Sequence, residues 1–394
     1  PAISAADSRP NTSGAEFMRD RATWAAYLLV GLFSYIQTSI GPAMPFLRDR
    51  LDLGYIGASI RFSAIAAASA VVGATGEHLV GRLGRSRAQW GGMTGMATGV
   101  ALVGLAPHIV ISLLGALMIG GLGTLALIAN QAALADLHGP RREVALTESN
   151  VVATSTAIMA PLLIGASAAV GLGWQAGLLL PLPWLLLLAW RFRGVGFPDV
   201  PSVELGAVGQ AKRLPATFWL LCVVIFLLSA VEWCMAYWGA DFLDTVVGLD
   251  KAAAAAAMTL FFVAMAGGRF VGSRLTRRRR SVTLLPGAVV LGLAGFLVFW
   301  LAPYPVMNLA GLFFAGLGIA NFYPLTVAAA TSAAVGAANR ATARLAVAVG
   351  LALLLVPLSV GVVSDLADLR WGFGLVVQLM LGALAALGLA ARAR

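Results

Sequence analysis

The chain has 394 residues, of which 60% are hydrophobic and only 11% are charged, and its formal net charge is +10. A soluble globular protein normally carries about 25% charged residues, so this composition excludes an ordinary soluble domain. Apolar stretches recur along the whole chain, and a stretch of about 20 residues is long enough to cross a bilayer core of ~30 Å. The composition therefore predicts an all-α integral membrane protein.

The apolar stretches predict twelve transmembrane helices, arranged as two bundles of six that cover residues 23–190 and 216–391. More polar segments flank the bundles as an N-terminal tail (1–22), a linker (191–215) and a C-terminal tail (392–394). We place the helices at about 23–46, 55–80, 90–106, 109–134, 144–170, 174–190, 218–243, 252–275, 282–301, 306–330, 341–363 and 371–389.

Basic residues are distributed unevenly across this predicted topology. Most of them fall on one side of the membrane, and only Arg48, Arg50, Lys251 and Arg370 fall on the other. The positive-inside rule makes the basic side cytoplasmic, so both termini and the linker are expected in the cytoplasm of a multi-pass cell-membrane protein. This distribution attributes the net charge to topology and not to a nucleic-acid partner.

Short motifs recur between the two predicted bundles at a nearly constant offset. The matching residues are Gly76 with Gly268, Gly121 with Gly316, Pro161 with Pro357, and Trp174 with Trp371. Such an ordered series indicates a duplicated six-helix unit. Parallel repeats about an axis along the membrane normal are one known transporter plan, in which the substrate site lies between the halves near mid-membrane.

The loop between the second and third predicted helices carries a family signature. It contains Arg82, Gly84 and Arg85 of the pattern G-x-x-x-D-R-x-G-R-[KR], whereas Glu77, Gly81 and Ser86 replace three other residues of it. On this loop and on the six-plus-six helix plan, the chain resembles the major facilitator superfamily. The resemblance implies a two-bundle fold that works as a secondary transporter by alternating access.

Glu232 is the candidate proton carrier. It falls in the outer part of the seventh predicted helix, where no basic residue is an obvious partner. A carboxylate that is desolvated and unpaired can load and unload a proton near neutral pH. A hydrogen-bonded structural carboxyl and a direct substrate contact remain as alternatives. We expect Asp241 and Asp244, at the outer end of the same helix, to be solvated.

Five charged residues near cytoplasmic helix ends are candidates for a gate; they are Glu77, Glu148, Arg269, Arg340 and Arg344. In the family fold the second helix packs on the eleventh and the fifth on the eighth. The resemblance thus implies that Glu77 approaches Arg344 or Arg340, and that Glu148 approaches Arg269. We hypothesise that these ion pairs close the cytoplasmic side in the outward-open state. The alternative is that each charge snorkels separately to the headgroups.

Polar and aromatic residues on the first, fourth, seventh and tenth helices are the candidate substrate contacts. They are Tyr35, Gln37, Asn130, Gln131, Trp233, Tyr237, Asn321 and Tyr323. Trp233 and Tyr237 are four residues apart and share a helix face, although aromatic residues can also face lipid. Arg61, near the outer end of the second helix, is expected to snorkel, with attraction of an anionic substrate as the alternative. The scarcity of polar residues favours a small amphipathic organic substrate.

The sequence predicts no catalytic residue, metal site or cofactor. It lacks a G-x-x-x-x-G-K-[ST] loop, its three histidines have no metal-ligand spacing, and Cys222 and Cys234 are interpreted as small membrane-buried residues. The expected partners are a small-molecule substrate, protons and the lipid bilayer, with the chain acting as a monomer. A membrane-embedded lipid-processing enzyme and a non-transporting receptor on the same fold remain as rival functions.

Overall fold

The computed structural model of the chain describes residues 17–197, 214–334 and 337–393. Parts of both tails and of the linker, at residues 1–16, 198–213 and 394, lie outside the described residues. Within the described ranges the chain is all helical. In order, the helices are α1 (Arg21–Leu51), α2 (Tyr55–Leu83), α3 (Arg85–Leu105), α4 (Ile109–His138), α5 (Arg142–Ala169), α6 (Trp174–Leu179), α7 (Pro181–Arg191), α8 (Ala216–Thr245), α9 (Lys251–Leu275), α10 (Ser281–Leu301), α11 (Pro305–Ile319), α12 (Phe322–Ala333), α13 (Ala338–Leu366) and α14 (Leu369–Arg392).

Aspartate side chains begin three of these helices. The Asp20 carboxylate accepts a hydrogen bond of 2.8 Å from the Thr23 amide, and Asp250 and Asp368 cap α9 and α14 in the same way. A capping carboxylate satisfies an amide that has no partner within its own helix, and such a cap stabilises a helix by about 1 kcal/mol. Polar residues at the membrane faces therefore set these helix starts.

Two of the predicted helices are broken in the structure. The predicted helix at 306–330 is divided into α11 and α12. The predicted helix at 174–190 is divided into α6 and α7 at Leu180, directly before Pro181. Proline has no amide proton, so it cannot bond to the carbonyl four residues earlier, which belongs to Gly177. The hydroxyl of Tyr35 donates to this carbonyl at 2.7 Å instead. A neighbouring helix thus satisfies the freed group, as a break within a membrane requires.

The helices α1–α7 and α8–α14 form two groups that meet mainly along three pairs of helices, with a smaller contact between α1 and α9. These pairs are α2 with α13, α5 with α9, and α1 with α8. The first two confirm the packing that the family resemblance implied. Glycines allow the close approach at both: a Cβ at Gly165 of α5 would lie 2.5 Å from the Ala252 carbonyl of α9, and one at Gly361 of α13 would overlap Ser59 of α2.

The two ends of the bundle differ in charge. The arginine-rich end consists of the ends of α2 and α9 with the turns that follow them, and it carries Arg82, Arg85 and 277–280. The opposite end holds the turns after α1, α8 and α13. Eight helical stretches of the described chain are long and apolar enough to cross a membrane, judged by length and hydropathy.

Candidate functional site

A cavity of about 840 Å³ lies between the two groups of helices. Side chains of α1, α5, α8, α9 and α12 form most of its wall, and the wall continues to Thr276 and Ser281 between α9 and α10. Thr276 is exposed at the arginine-rich end of the bundle. The cavity therefore extends from the centre of the bundle to this end.

An aromatic cluster on α8 forms one side of the cavity. Trp233 and Tyr237 lie one helical turn apart, with ring centroids separated by 5.1 Å. Phe62 of α2 stacks on Tyr237 at 4.1 Å, with the two ring planes only 4° apart. The Tyr237 hydroxyl is buried and has no hydrogen-bond partner among the described residues. A buried hydroxyl without a partner is energetically costly.

Two charged side chains line the cavity wall within the described residues, Glu232 of α8 and Arg269 of α9. Their closest atoms, Glu232 Oε1 and Arg269 Nη2, are 3.5 Å apart, and their side chains are 18% and 48% exposed. The expectation that Glu232 has no basic partner is therefore wrong. The repeat placed Arg269 near the cytoplasmic end of its helix, and its long side chain reaches from there toward Glu232.

Most of the predicted substrate contacts do line this cavity. They are Gln37, Trp233, Tyr237, Asn321 and Tyr323. The prediction missed the contribution of the fifth and eighth helices, which supply Asn150, Thr154, Phe262 and Met265. The signal for them was present in the expected packing of the fifth helix on the eighth, because helices that meet at the interface also border the space between the halves.

Three predicted contacts lie elsewhere. Tyr35 is buried against α6, where its hydroxyl donates a hydrogen bond to the Gly177 carbonyl. Asn130 is buried within the first group of helices, where its amide donates to the Ala26 carbonyl and its oxygen accepts from Gln89. Gln131 is exposed and does not line the cavity. Tyr35 and Asn130 satisfy backbone and side-chain groups of neighbouring helices, a role that sequence position alone does not distinguish from substrate contact.

An ion pair joins the two groups of helices at the opposite end. Arg48 Nη1 of α1 lies 2.8 Å from Asp241 Oδ1 of α8, and the Asp241 side chain is 1% exposed. The Arg48 guanidinium also lies 3.7 Å above the Tyr55 ring centroid. Asp241 was expected to be solvated, and this expectation is wrong. Its helix end is covered by α1, so the carboxylate is withdrawn from water and paired.

Hydrogen bonds between α2, α8 and α13 extend this closure. The Asp365 carboxylate of α13 accepts from the Tyr55 and Ile56 amides at 2.7 and 2.8 Å, and so caps α2 from the other group of helices. The Pro357 carbonyl accepts from the Ser59 hydroxyl and the Trp238 indole. The opposite end is thus closed by directional contacts between the two groups.

The predicted cytoplasmic ion pairs are not formed in this state. Glu148 is bound by Arg19, with an Nε–Oε2 distance of 2.8 Å, and by the Tyr27 hydroxyl at 3.1 Å. It does not line the cavity. Glu77 and Arg344 are both exposed, and no ion pair joins them within the described part of the chain. In this state Glu148 pairs with Arg19 and not with Arg269, and the pairing predicted for the outward-open state stays a prediction.

The loop signature has a structural role in the first group of helices. Gly84 joins α2 to α3 with a φ of +81°, a conformation that favours glycine because it has no Cβ. Arg85 forms an ion pair with Asp136 of α4, while Arg82 is exposed.

The expectation that Arg61 snorkels is wrong, since it is buried and donates to Ser112 and to the Gly57 carbonyl.

Comparison with known proteins agrees with this architecture. A family model described as the Major Facilitator Superfamily matches residues 23–334. The chain is 29% identical over 161 residues to an uncharacterised MFS-type transporter of Yersinia pestis, and 29% identical over 192 residues to an uncharacterised transporter of Sinorhizobium fredii. These matches span only 41% and 49% of the two relatives.

Several solved transporters share the fold. A bacterial homologue of the human lysosomal transporter Spinster, in an inward-facing and occupied conformation, gives a TM-score of 0.81 at 18% identity, with 97% of this chain and 98% of that one covered. The nucleoside transporter NupG gives 0.72 at 14% identity, covering 94% and 98%. The fold is that of a polytopic helical membrane protein, and the chain belongs to the major facilitator superfamily.

Proposed function

We propose that the chain is a secondary active transporter that moves a small organic solute across the cytoplasmic membrane by alternating access. One observation carries this proposal: the central cavity reaches the arginine-rich end, while contacts such as Arg48–Asp241 close the opposite end. A site open to one side only is what alternating access requires of each of its two states. The fold neighbours support the same reading, because they are transporters.

The proposed topology has twelve membrane crossings in two bundles, residues 23–190 and 216–391. Helices α6 and α7 together make one crossing, and so do α11 and α12. The positive-inside rule assigns the arginine-rich end to the cytoplasm. With this orientation both tails and the linker 191–215 are cytoplasmic, and the state described is inward-facing.

The other state follows from rocking one bundle against the other. The opposite end would open by separating Arg48 from Asp241, and the arginine-rich end would close over the cavity. Helix register supports a pair there: Glu77 lies about five turns beyond Ser59 on the same face of α2. On α13, the carbonyl of Pro357 is the hydrogen-bond partner of Ser59. The position five turns before Pro357 on this helix is next to Arg340.

We therefore keep Glu77 with Arg340 or Arg344 as a proposed gate for the outward-open state. Glu148 is left out of it, because Arg19 and Tyr27 hold its carboxylate away from the cavity. An exposed ion pair contributes only ~0–1 kcal/mol. A pair that closure partly buries can contribute more, because separating the partners then leaves a charge stranded.

Glu232 is the proposed proton-coupling residue. Withdrawal from water favours its neutral form, whereas Arg269 favours its carboxylate, so the two effects oppose each other. Any movement that changes the contact between Arg269 and Glu232 would alter proton binding.

The test of the proposed function is solute uptake by proteoliposomes, with and without an imposed pH gradient. Accumulation that depends on the gradient is expected. Turnover of a lipid without solute flux would instead identify an enzyme. Ligand binding without either activity would identify a receptor.

A further inference from the structure

We infer that the transported solute is a monovalent, amphipathic organic anion, which enters the cavity together with one proton. This inference rests on the proposed function and specifies the substrate class of the same cavity. It follows from the charges in the cavity wall and from what happens to them when the cavity is closed on both sides.

The charge inventory of the cavity is short. Within the described residues, Glu232 and Arg269 are the charged side chains in the wall, and the only other titratable groups there are the hydroxyls of Tyr237 and Tyr323. Tyrosine is neutral at physiological pH. Helices α1 and α5 supply Gln37, Asn150 and similar uncharged groups. The net charge of the wall is therefore fixed by whether Glu232 holds a proton.

Alternating access requires an intermediate in which the cavity is shut off from both sides. An unbalanced charge in such a low-dielectric space is costly, so neutral contents cross most easily. The empty cavity is neutral when Glu232 is ionised beside Arg269. When Glu232 is protonated, Arg269 leaves one positive charge, and a monovalent anion balances it.

A cationic substrate does not make the closed cavity neutral in either protonation state of Glu232. With Glu232 ionised, a bound cation raises the net charge to +1, and with Glu232 protonated it raises the charge to +2. A neutral solute is balanced only when Glu232 stays ionised, so it would not carry a proton. Among singly charged and neutral solutes, one anion with one proton is the combination that couples the two fluxes.

The wall can also recognise such an anion. Arg269 has five N–H donors, and among the residues that the structure describes its one hydrogen bond within the cavity is the long contact to Glu232. Phe33, Trp233 and Phe262 provide apolar surface for the body of the molecule. A cavity of about 840 Å³ falls in the range of roughly 300–1,000 Å³ that is typical of small-molecule sites.

Three matched probes test the inference with the purified full-length protein: phenylacetate, phenethylamine and 2-phenylethanol. They share an aromatic body and differ in charge. We expect phenylacetate to bind with uptake of about one proton, measured in weakly buffered solution. Its apparent affinity should then rise by up to about tenfold per unit fall in pH, because one proton is linked to binding. The amine and the alcohol should bind at least about tenfold more weakly, since each lacks the charge-assisted bond to Arg269.

Variants separate the roles of the two charged residues. Glu232→Gln mimics the protonated acid, so phenylacetate should bind without proton uptake and without pH dependence. Arg269→Gln should lose binding by about tenfold or more, because a charge-assisted hydrogen bond is removed. Glu143→Gln and Arg274→Gln are matched controls: both residues are exposed and do not line the cavity. They should behave like the parent protein.

Three results would overturn the inference: no binding of phenylacetate, binding of phenylacetate without a proton, or preference for the amine or the alcohol. Uptake of one of those solutes into proteoliposomes would still support the proposed transport. Conversely, phenylacetate could bind together with a proton and yet not be accumulated under a pH gradient. That result would support the inferred binding of one anion with one proton and would contradict the proposed transport function.

Discussion

Arg48 and Asp241 form a buried ion pair that links α1 to α8 across the two groups of helices, with 2.8 Å between Nη1 and Oδ1. The second carboxylate oxygen of Asp241 has no hydrogen-bond partner in the described chain. A pair in this position exists only while the opposite end is closed. It therefore contributes to the stability of the state in which the opposite end is closed, and not to that of a state in which this end is open.

Asp241→Asn should destabilise the closed opposite end. Removing one partner of a buried pair costs about 3–5 kcal/mol, because the remaining charge is stranded. We expect faster amide hydrogen exchange at Tyr55 and Ile56, whose amides are bonded across the same interface. Asp52→Asn is the matched control, since Asp52 is exposed and asparagine tolerates its left-handed backbone. Equal exchange in both variants would show that the pair does not hold the interface.

Gly41→Ala should act on the same interface by sterics. A methyl group at Gly41 of α1 would overlap the Ala236 carbonyl of α8, and backbone cannot move aside as a side chain can. We expect a lower melting temperature, or a population shifted toward the open opposite end in distance measurements. Gly73→Ala is the control because nothing lies within 4 Å of that position. Alanine there should be neutral or stabilise α2 by up to ~1 kcal/mol, and a similar loss in both variants would refute the steric account.

Glu232→Gln should abolish proton-driven accumulation while solute exchange survives, because glutamine occupies the same volume but cannot release a proton. The measurement is uptake against exchange in proteoliposomes over a range of external pH. Glu143→Gln again provides a control of the same chemistry at an exposed site on α5. Unchanged pH dependence of uptake in Glu232→Gln would remove this residue from the coupling step.

Glu77→Arg should impair closure of the arginine-rich end, since it places like charges beside Arg340 and Arg344. Adding Arg340→Glu should restore part of the transport rate, because the double variant recreates an ion pair with its polarity reversed. The comparison is made on initial uptake rates of both single variants and the double variant. Absence of rescue would argue against this gate.

The sequence predicts the layout of the chain better than its polar contacts. Helix positions and the packing of α2 on α13 and of α5 on α9 follow from hydropathy, repeats and family resemblance. The breaks at Leu180 and at 320–321 were missed. A proline in an apolar run predicts a local distortion of the helix, because one carbonyl loses its hydrogen bond. Whether the helix then kinks or divides depends on which neighbour satisfies that carbonyl.

Polar partners were harder to predict for a related reason. Asp241 and Arg61 lie near helix ends, where solvation and snorkelling are the usual outcomes, yet both are buried by neighbouring helices. Glu232 was placed by its depth in the seventh helix, but its contact with Arg269 depends on the relative position of α8 and α9. Depth along a helix is encoded locally, whereas the partner is set by the relative position of two helices.

Paired distance measurements at both ends of the bundle test alternating access most directly. Spin labels at Arg87 and Arg279 report on the arginine-rich end, and labels at Leu105 and Tyr304 report on the opposite end; all four positions are exposed. In Asp241→Asn, compared with the parent protein, the account predicts that the distance between 105 and 304 lengthens while the distance between 87 and 279 shortens. A change at one end without the reverse change at the other would contradict it.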